Sequence, residues 1–207
     1  MQLSTARRKE KGAFYTPKLW ADLAVKYLLK VFPSYQSCVF YDPAAGEGAL
    51  LEALPADAIK YGSTLEAEDV TILQSKGIRA WQFDFLQNPD LWGSAPGELR
   101  RAHEDGRLIV FTNPPFFKCP TSTREWYARK AYAITNDATA LFLLRIMYEL
   151  QPFFTCSFSK GDIYQAPQLQ QFREQFRPFE RYISGFISPS KSWGLSGNFP
   201  IQFSIWL

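Results

Sequence analysis

Residues 110–120 read VFTNPPFFKCP: an amide, two rings without N–H groups and two aromatic rings close an apolar run. Leu108, Ile109, Val110 and Phe111 have the β-branched and aromatic character of a strand covered on both faces. The Asn113-Pro114-Pro115-Phe116 turn after them is rigid, aromatic and polar at once. A turn of that composition at a strand end is suited to holding one amide still beside an aromatic face.

Other strand ends carry residues of equal interest. In YDPAAGEGAL, residues 41–50, Gly46 and Gly48 let the backbone approach a ligand, and the helix that follows presents N–H groups to an anion. The segment lacks G-x-G-x-x-G and no Walker lysine follows, which argues against a nucleotide phosphate site. A tight strand-to-helix turn explains the glycines but not Asp42, whose carboxylate can accept from an ammonium group. Glu66 in STLEAED follows Gly48 by 18 residues, near the spacing at which an acid holds ribose hydroxyls. Glu68 is its rival within the register error, and a surface acid in an acidic turn is the plain alternative. In FDFL, residues 83–86, Asp84 can accept from the amino group of an adenine and Phe85 can pack on its ring.

These ends need a scaffold. Leu19, Leu23, Tyr27 and Val31 recur at helical spacing, with Trp20, Ala24 and Leu28 beside them, and predict a helix over 17–31 with Thr16 as N-cap. Strands are expected at 37–41, 63–67, 78–83 and 108–111, with helices through ALLEAL and VTILQSKG between the first three. Residues 86–106 read as an irregular connection with a short helix at GELRRAHE, and 124–135 as helical. ATALFLLRIMYEL fits either a buried strand with a following helix or one apolar helix; the strand is favoured. QLQQFREQF predicts a helix, and RYISGFIS and FPIQFSIWL two late strands joined without a helix. Strands alternating with helices imply an α/β fold: a doubly wound, mainly parallel seven-stranded sheet with helices on both faces and an antiparallel edge hairpin, spanning 1–207 as one domain.

Composition narrows the function classes. The 207 residues carry a net charge of +3, too small to announce a nucleic-acid binder, although Arg7, Arg8, Lys9 and Lys11 cluster, as do Lys118, Arg124, Arg129 and Lys130. The three cysteines lie far apart without metal-ligand spacing, and no metal site is expected. With no signal peptide and no membrane-length apolar run, a cytoplasmic location is expected. His103, the lone histidine, reads as a solvated loop residue.

Taken together, the motifs resemble the amino-methyltransferases that use S-adenosylmethionine, most closely the DNA adenine-N6 group. GAFYTP, residues 12–17, is similar to the family segment that precedes the cofactor loop, which implies that Phe14, Tyr15, Thr16 and Pro17 line the cofactor site. DPAAGEGAL is similar to the cofactor loop itself, with Asp42, Ala44, Gly46 and Gly48 in its places, and TNPPF to the catalytic tetrad. The resemblance, in the family's order of cofactor motifs first, runs from about residue 11 to 207. It assigns Asn113 to catalysis and cofactor binding, and carries Glu66, Asp84 and Phe85 into the cofactor site by position. NFPIQFSIW resembles the segment whose phenylalanine stacks on a flipped base, which makes Phe199 the second face opposite Phe116; strand formation and core packing are the alternative.

The chemistry is consistent with that resemblance. The N6 lone pair of adenine is delocalised into the ring, and two acceptors aimed at its hydrogens free it. The Asn113 side-chain oxygen and the Pro114 carbonyl supply them, the latter pre-aimed by the proline rings. The family's target-recognition region usually follows the last catalytic strand, where this chain stops at Trp206-Leu207. A catalytic fragment, a partner subunit that reads the sequence, or a different way of finding the target are the alternatives. The tetrad is shared with methyltransferases of glutamine side chains and of RNA adenine; GAFYTP tilts the expectation to DNA. A non-catalytic cofactor- or DNA-binding subunit is the alternative of another class.

Overall fold

Among the described residues, seven strands form one sheet in the order β3-β2-β1-β4-β5-β7-β6. They are β1 (Val39–Asp42), β2 (Ile59–Thr64), β3 (Arg79–Gln82), β4 (Leu108–Thr112), β5 (Phe154–Lys160), β6 (Tyr182–Pro189) and β7 (Pro200–Trp206). The structure is a computed structural model that describes residues 16–119, 127–132, 135–179 and 181–207. Strands β1 to β5 pair in parallel, whereas β7 runs antiparallel to both β5 and β6. The strand order reverses between β1 and β4, and an open α/β sheet binds its ligands at such a switch point.

Every residue of β1 and β4 is buried, as their unbroken apolar runs require. Alternate side chains feed two cores, one on each face. Val39, Tyr41, Leu108 and Val110 enter one, and Phe40, Ile109 and Phe111 the other. The covering helices are α1 (Lys18–Val31), α2 (Ala49–Ala53), α3 (Ala67–Ser75), α4 (Leu91–Ser94), α5 (Gly97–Glu104), α6 (Tyr127–Tyr132), α7 (Ala138–Arg145) and α8 (Gln170–Phe176).

Several expectations are corrected. Helix α1 buries Ala21, Ala24, Val25 and Leu28, and Leu19 is 67% exposed, so the buried arc is rotated away from the Leu19–Leu23 row. Pro17, not Thr16, occupies the N-cap position. Strand β2 ends at Thr64 because Leu65 turns outward and Glu66 begins the next helix. Its glycine, Gly62, sits where a Cβ would lie 2.9 Å from that of Ala45, which leaves the strand without an obvious apolar run.

ATALFLLR forms helix α7, not a strand. All eight residues are buried, so no polar face marks a helical period, and Asp137 starts the helix by accepting from the Ala140 N–H at 3.0 Å. A π-helical turn, Ile146–Leu150, continues it until Gln151 takes a left-handed conformation at φ 41°. The fifth strand is FTCSFSK, whose serines and threonine disguised a strand buried from Phe154 to Ser159. His103 is also no loop residue: it lies on α5, donates through Nδ1 to the Leu150 carbonyl at 2.8 Å and stacks on Trp92.

Phe158 on β5 anchors the late hairpin, with its ring 4.9 Å from both Trp193 and Phe203. It is fully buried. Phe158→Ala is expected to cost about 3–5 kcal/mol, read as a lowered midpoint in urea unfolding.

Candidate active site

Asp42 ends β1, and Thr112 ends β4 beside it. The Thr112 hydroxyl donates to Asp42 Oδ1 at 2.6 Å, and the Ala44 N–H donates to the same oxygen at 2.9 Å. Among the described residues no recorded bond reaches Oδ2, which leaves it for a ligand. The carboxyl is 2% exposed, and burial pushes its pKa up to about 7 against the opposing pull of the Thr112 and Ala44 hydrogen bonds.

The loop after Asp42 is shaped by glycine. Gly48 sits at φ 87°, and a Cβ there would meet Leu73 Cδ2 at 2.6 Å, so both backbone and space demand it. Gly46 also has positive φ, at 50°. The Ala45 N–H donates to the Ser63 carbonyl at 3.0 Å, tying the loop to β2, and Ala44 packs against the core. The helix expected to present N–H groups to an anion is only five residues long, and the Gly48 N–H is taken by the Ala45 carbonyl.

Glu66 stands two residues past β2, half-buried and extended, at the N-cap position of α3 without capping it through its side chain. Its rival Glu68 lies exposed in the first turn of that helix. Asp84 stands two residues past β3. Its Oδ1 accepts from the Leu86 and Gln87 N–H groups at 3.0 Å each, and its Oδ2 from Gln87 Nε2 at 2.9 Å. The Phe85 ring, expected against an adenine, is instead part of the core: it is 2% exposed and stacks on Phe142 at 4.9 Å.

The residue that holds this turn is one the motifs did not reveal. Arg145 is fully buried on α7 and donates through Nη1 to the Phe85 carbonyl at 2.6 Å. Its Nε donates to Glu149 Oε2 at 3.0 Å, and its guanidinium lies 4.9 Å from the Phe85 ring and 4.7 Å from that of Tyr127. A lone arginine inside an apolar run was the available signal.

The TNPPF turn is gripped from two sides. Asn113 Nδ2 donates to Thr16 Oγ1 at 3.1 Å, joining it to the residue before Pro17 and α1. The Thr139 hydroxyl of α7 donates to the Pro115 carbonyl at 3.0 Å. Pro114 is buried, and Phe116 is 6% exposed within the core. Phe199, just before β7, is half-buried. Lys160 at the end of β5 lies 5.8 Å from the Phe116 ring and 5.3 Å from that of Phe199, and so links two rings 83 residues apart in the chain.

Phe14, Tyr15, Arg7, Arg8, Lys9, Lys11, Arg124 and the side chain of Arg129 lie outside the described residues. Among those described, no cluster of His, Cys, Asp and Glu could hold a metal, and no helix is long and apolar enough to cross a membrane.

No protein-family model matches the sequence, and no curated protein matches it. Solved structures do share the fold. A Listeria monocytogenes protein assigned as a class I S-adenosylmethionine-dependent methyltransferase superposes with a TM-score of 0.68 at 16% identity, over 92% of this chain and 59% of its own. The methyltransferase subunit of a type I restriction-modification system from Streptococcus thermophilus gives 0.64 at 16% identity, over 93% and 44%. A protein from Vibrio vulnificus assigned as a type I modification subunit gives 0.61 at 16%, over 98% and 47%. The chain thus has the Rossmann-like methyltransferase fold and spans less than two thirds of the length of each of these proteins.

The Asp42 geometry has a measurable signature. In the unfolded chain Asp42 ionises near 3.8, in the folded chain near 7, so between these values only the folded state holds the proton. Stability contributed by this group therefore falls as pH rises through that window and levels off above it. Asp42→Asn, which does not titrate, is expected to gain on the wild type between about pH 4 and about pH 7 in urea unfolding, and no further above that. An equal pH response in both proteins would show a carboxylate ionised throughout.

Proposed function

We propose that this chain transfers a methyl group from S-adenosylmethionine to the N6 amine of adenine in DNA. The observation that carries the reading is the pairing of a buried carboxylate, Asp42, with an anchored amide, Asn113, at adjacent strand ends of the switch point. Similarity of fold to the type I methyltransferase subunit and to the protein assigned as a modification subunit supports a restriction-modification setting.

The strand ends fit the cofactor. Asp42 Oδ2 faces the role of acceptor for an ammonium group, and the glycine loop carries no side chain at Gly46 or Gly48 to obstruct it. Glu66 suits the ribose hydroxyls, and the turn at Asp84 suits the adenine end. Thr16 and Pro17 close the site beside Asn113, with Phe14 and Tyr15 preceding them in sequence. Bound there, S-adenosylmethionine supplies a methyl group already activated by a positively charged sulfur.

What the chain must do is position the acceptor. With Nδ2 engaged by Thr16, the Asn113 amide turns its oxygen to the other side, where it accepts one hydrogen of the target amine. The Pro114 carbonyl accepts the second. Thr139 takes the Pro115 carbonyl out of competition and fixes the turn. Both acceptors draw the amine toward a tetrahedral geometry, and fixed dipoles of this kind need no reorganisation during transfer. Methylation makes the amine acidic, so no strong base is required, in keeping with a histidine engaged far away in helix packing. Phe116 and Phe199 supply the faces for a base turned out of the duplex. A partner subunit or a further recognition region would read the surrounding sequence.

Calorimetry is expected to show S-adenosylmethionine binding that weakens by up to about tenfold per pH unit below pH 7, as Asp42 takes up its proton, and that loses this dependence in Asp42→Asn. Asn113→Ala is expected to reduce methyl transfer by at least about a hundredfold while leaving cofactor affinity within about threefold. Tritium from labelled S-adenosylmethionine should enter adenine of duplex DNA. Label confined to RNA or to a glutamine-containing release-factor peptide would overturn the DNA assignment, and absence of cofactor binding by the folded protein would overturn the enzyme reading.

A further inference from the structure

Lys160 lies between the two rings assigned above to the target base. Its ammonium rests over both rings assigned to the base, at 5.8 Å from the centre of Phe116 and 5.3 Å from that of Phe199. Among the described residues it has no recorded hydrogen bond or ion pair. Asp137, the carboxylate whose charge acts on it, is engaged through Oδ1 in starting α7. An ammonium has three donors and is strongly hydrated, so a position over two aromatic faces without an acceptor leaves its hydrogen-bonding capacity open.

The faces that hold a cation also hold a flat ring, and a stacked base covers more of each face than an ammonium does. A base entering the slot therefore displaces Lys160 to the slot's edge, a short movement for a four-carbon stem rooted at the end of β5. At that edge the ammonium meets the rim of the ring. Adenine offers unprotonated nitrogens, N1 and N7, on either side of its amine, and either can accept from the ammonium. A glutamine side chain has no ring to fill the space.

We propose that Lys160 is a substrate-positioning residue, filling the Phe116–Phe199 slot when it is empty and donating to a ring nitrogen beside the reacting amine when a nucleobase is bound. The proposal rests on the base-methylating reading given above. It deepens that reading by assigning the acceptor class: an aromatic ring with an unprotonated nitrogen next to its amine.

The test uses the whole chain and 9-methyladenine, followed by NMR. In the free protein the Lys160 ε-methylene protons should be shifted upfield by the two rings, and 9-methyladenine should move them downfield. Lys160→Met should weaken 9-methyladenine binding about ten- to hundredfold, as loss of a charge-assisted hydrogen bond implies, and Lys160→Arg should restore most of it. One of the two analogues, 1-deaza- or 7-deaza-9-methyladenine, should lose a similar factor against the wild type and nothing further against Lys160→Met. Undiminished or tighter binding by Lys160→Met, or full binding of both deaza analogues to the wild type, would refute the role of Lys160 and leave the base-methylating reading intact. A wild type that binds S-adenosylmethionine but no nucleobase would sink both.

Discussion

Thr112 donates a 2.6 Å hydrogen bond to Asp42 across the seam between β4 and β1, and the candidate site is arranged about that bond. A carboxyl 2% exposed is costly to ionise, and the bond offsets part of the cost. The parallel register, with Val39 opposite Leu108 and Tyr41 opposite Val110, brings the two side chains together. That register in turn depends on strands whose every residue is buried, because a slip by one position would send each side chain to the wrong core. The hydrophobic sheet thus fixes the position of a charge at its rim.

Threonine recurs as the fastener. Thr16 holds the amide of Asn113, Thr139 the carbonyl of Pro115, and Thr112 the carboxyl of Asp42. The three come from the approach to α1, from α7 and from β4. A hydroxyl both donates and accepts, so one residue type serves an amide nitrogen, a carbonyl and a carboxylate without adding charge to the site.

What could be read from the sequence was mostly local. Gly48 is legible because its backbone angle and its lack of a side chain are properties of one position. The alternation of strands and helices gave the sheet for the same reason. The fifth strand is not legible in the sequence because α7, buried on all sides, lacks the polar face that betrays a helical period, while β5 hides three serine and threonine hydroxyls within the core. Helix α1 buries an arc that includes two alanines, Ala21 and Ala24, which a pattern of large apolar residues does not mark. The links of the site itself join distant segments: Thr16 to Asn113, Arg145 to the Phe85 carbonyl, Lys160 to Phe116 and Phe199. No periodicity contains such pairs; only the topology of the sheet brings them together.

The division of the interior into two cores has a bearing on how the site tolerates change. Phe83, Phe85 and Phe142, beneath the Asp84 turn, belong to one core. Phe116 and Trp193 belong to the other, with Phe199 packed against it. The sheet is therefore a partition wall between two foundations. Repacking beneath Phe116 is expected to leave the packing beneath the Asp84 turn undisturbed, and the reverse. The two halves of the candidate site meet through hydrogen bonds at the rim, Thr112 to Asp42 and Thr139 to the Pro115 carbonyl, and so share fasteners more than they share packing.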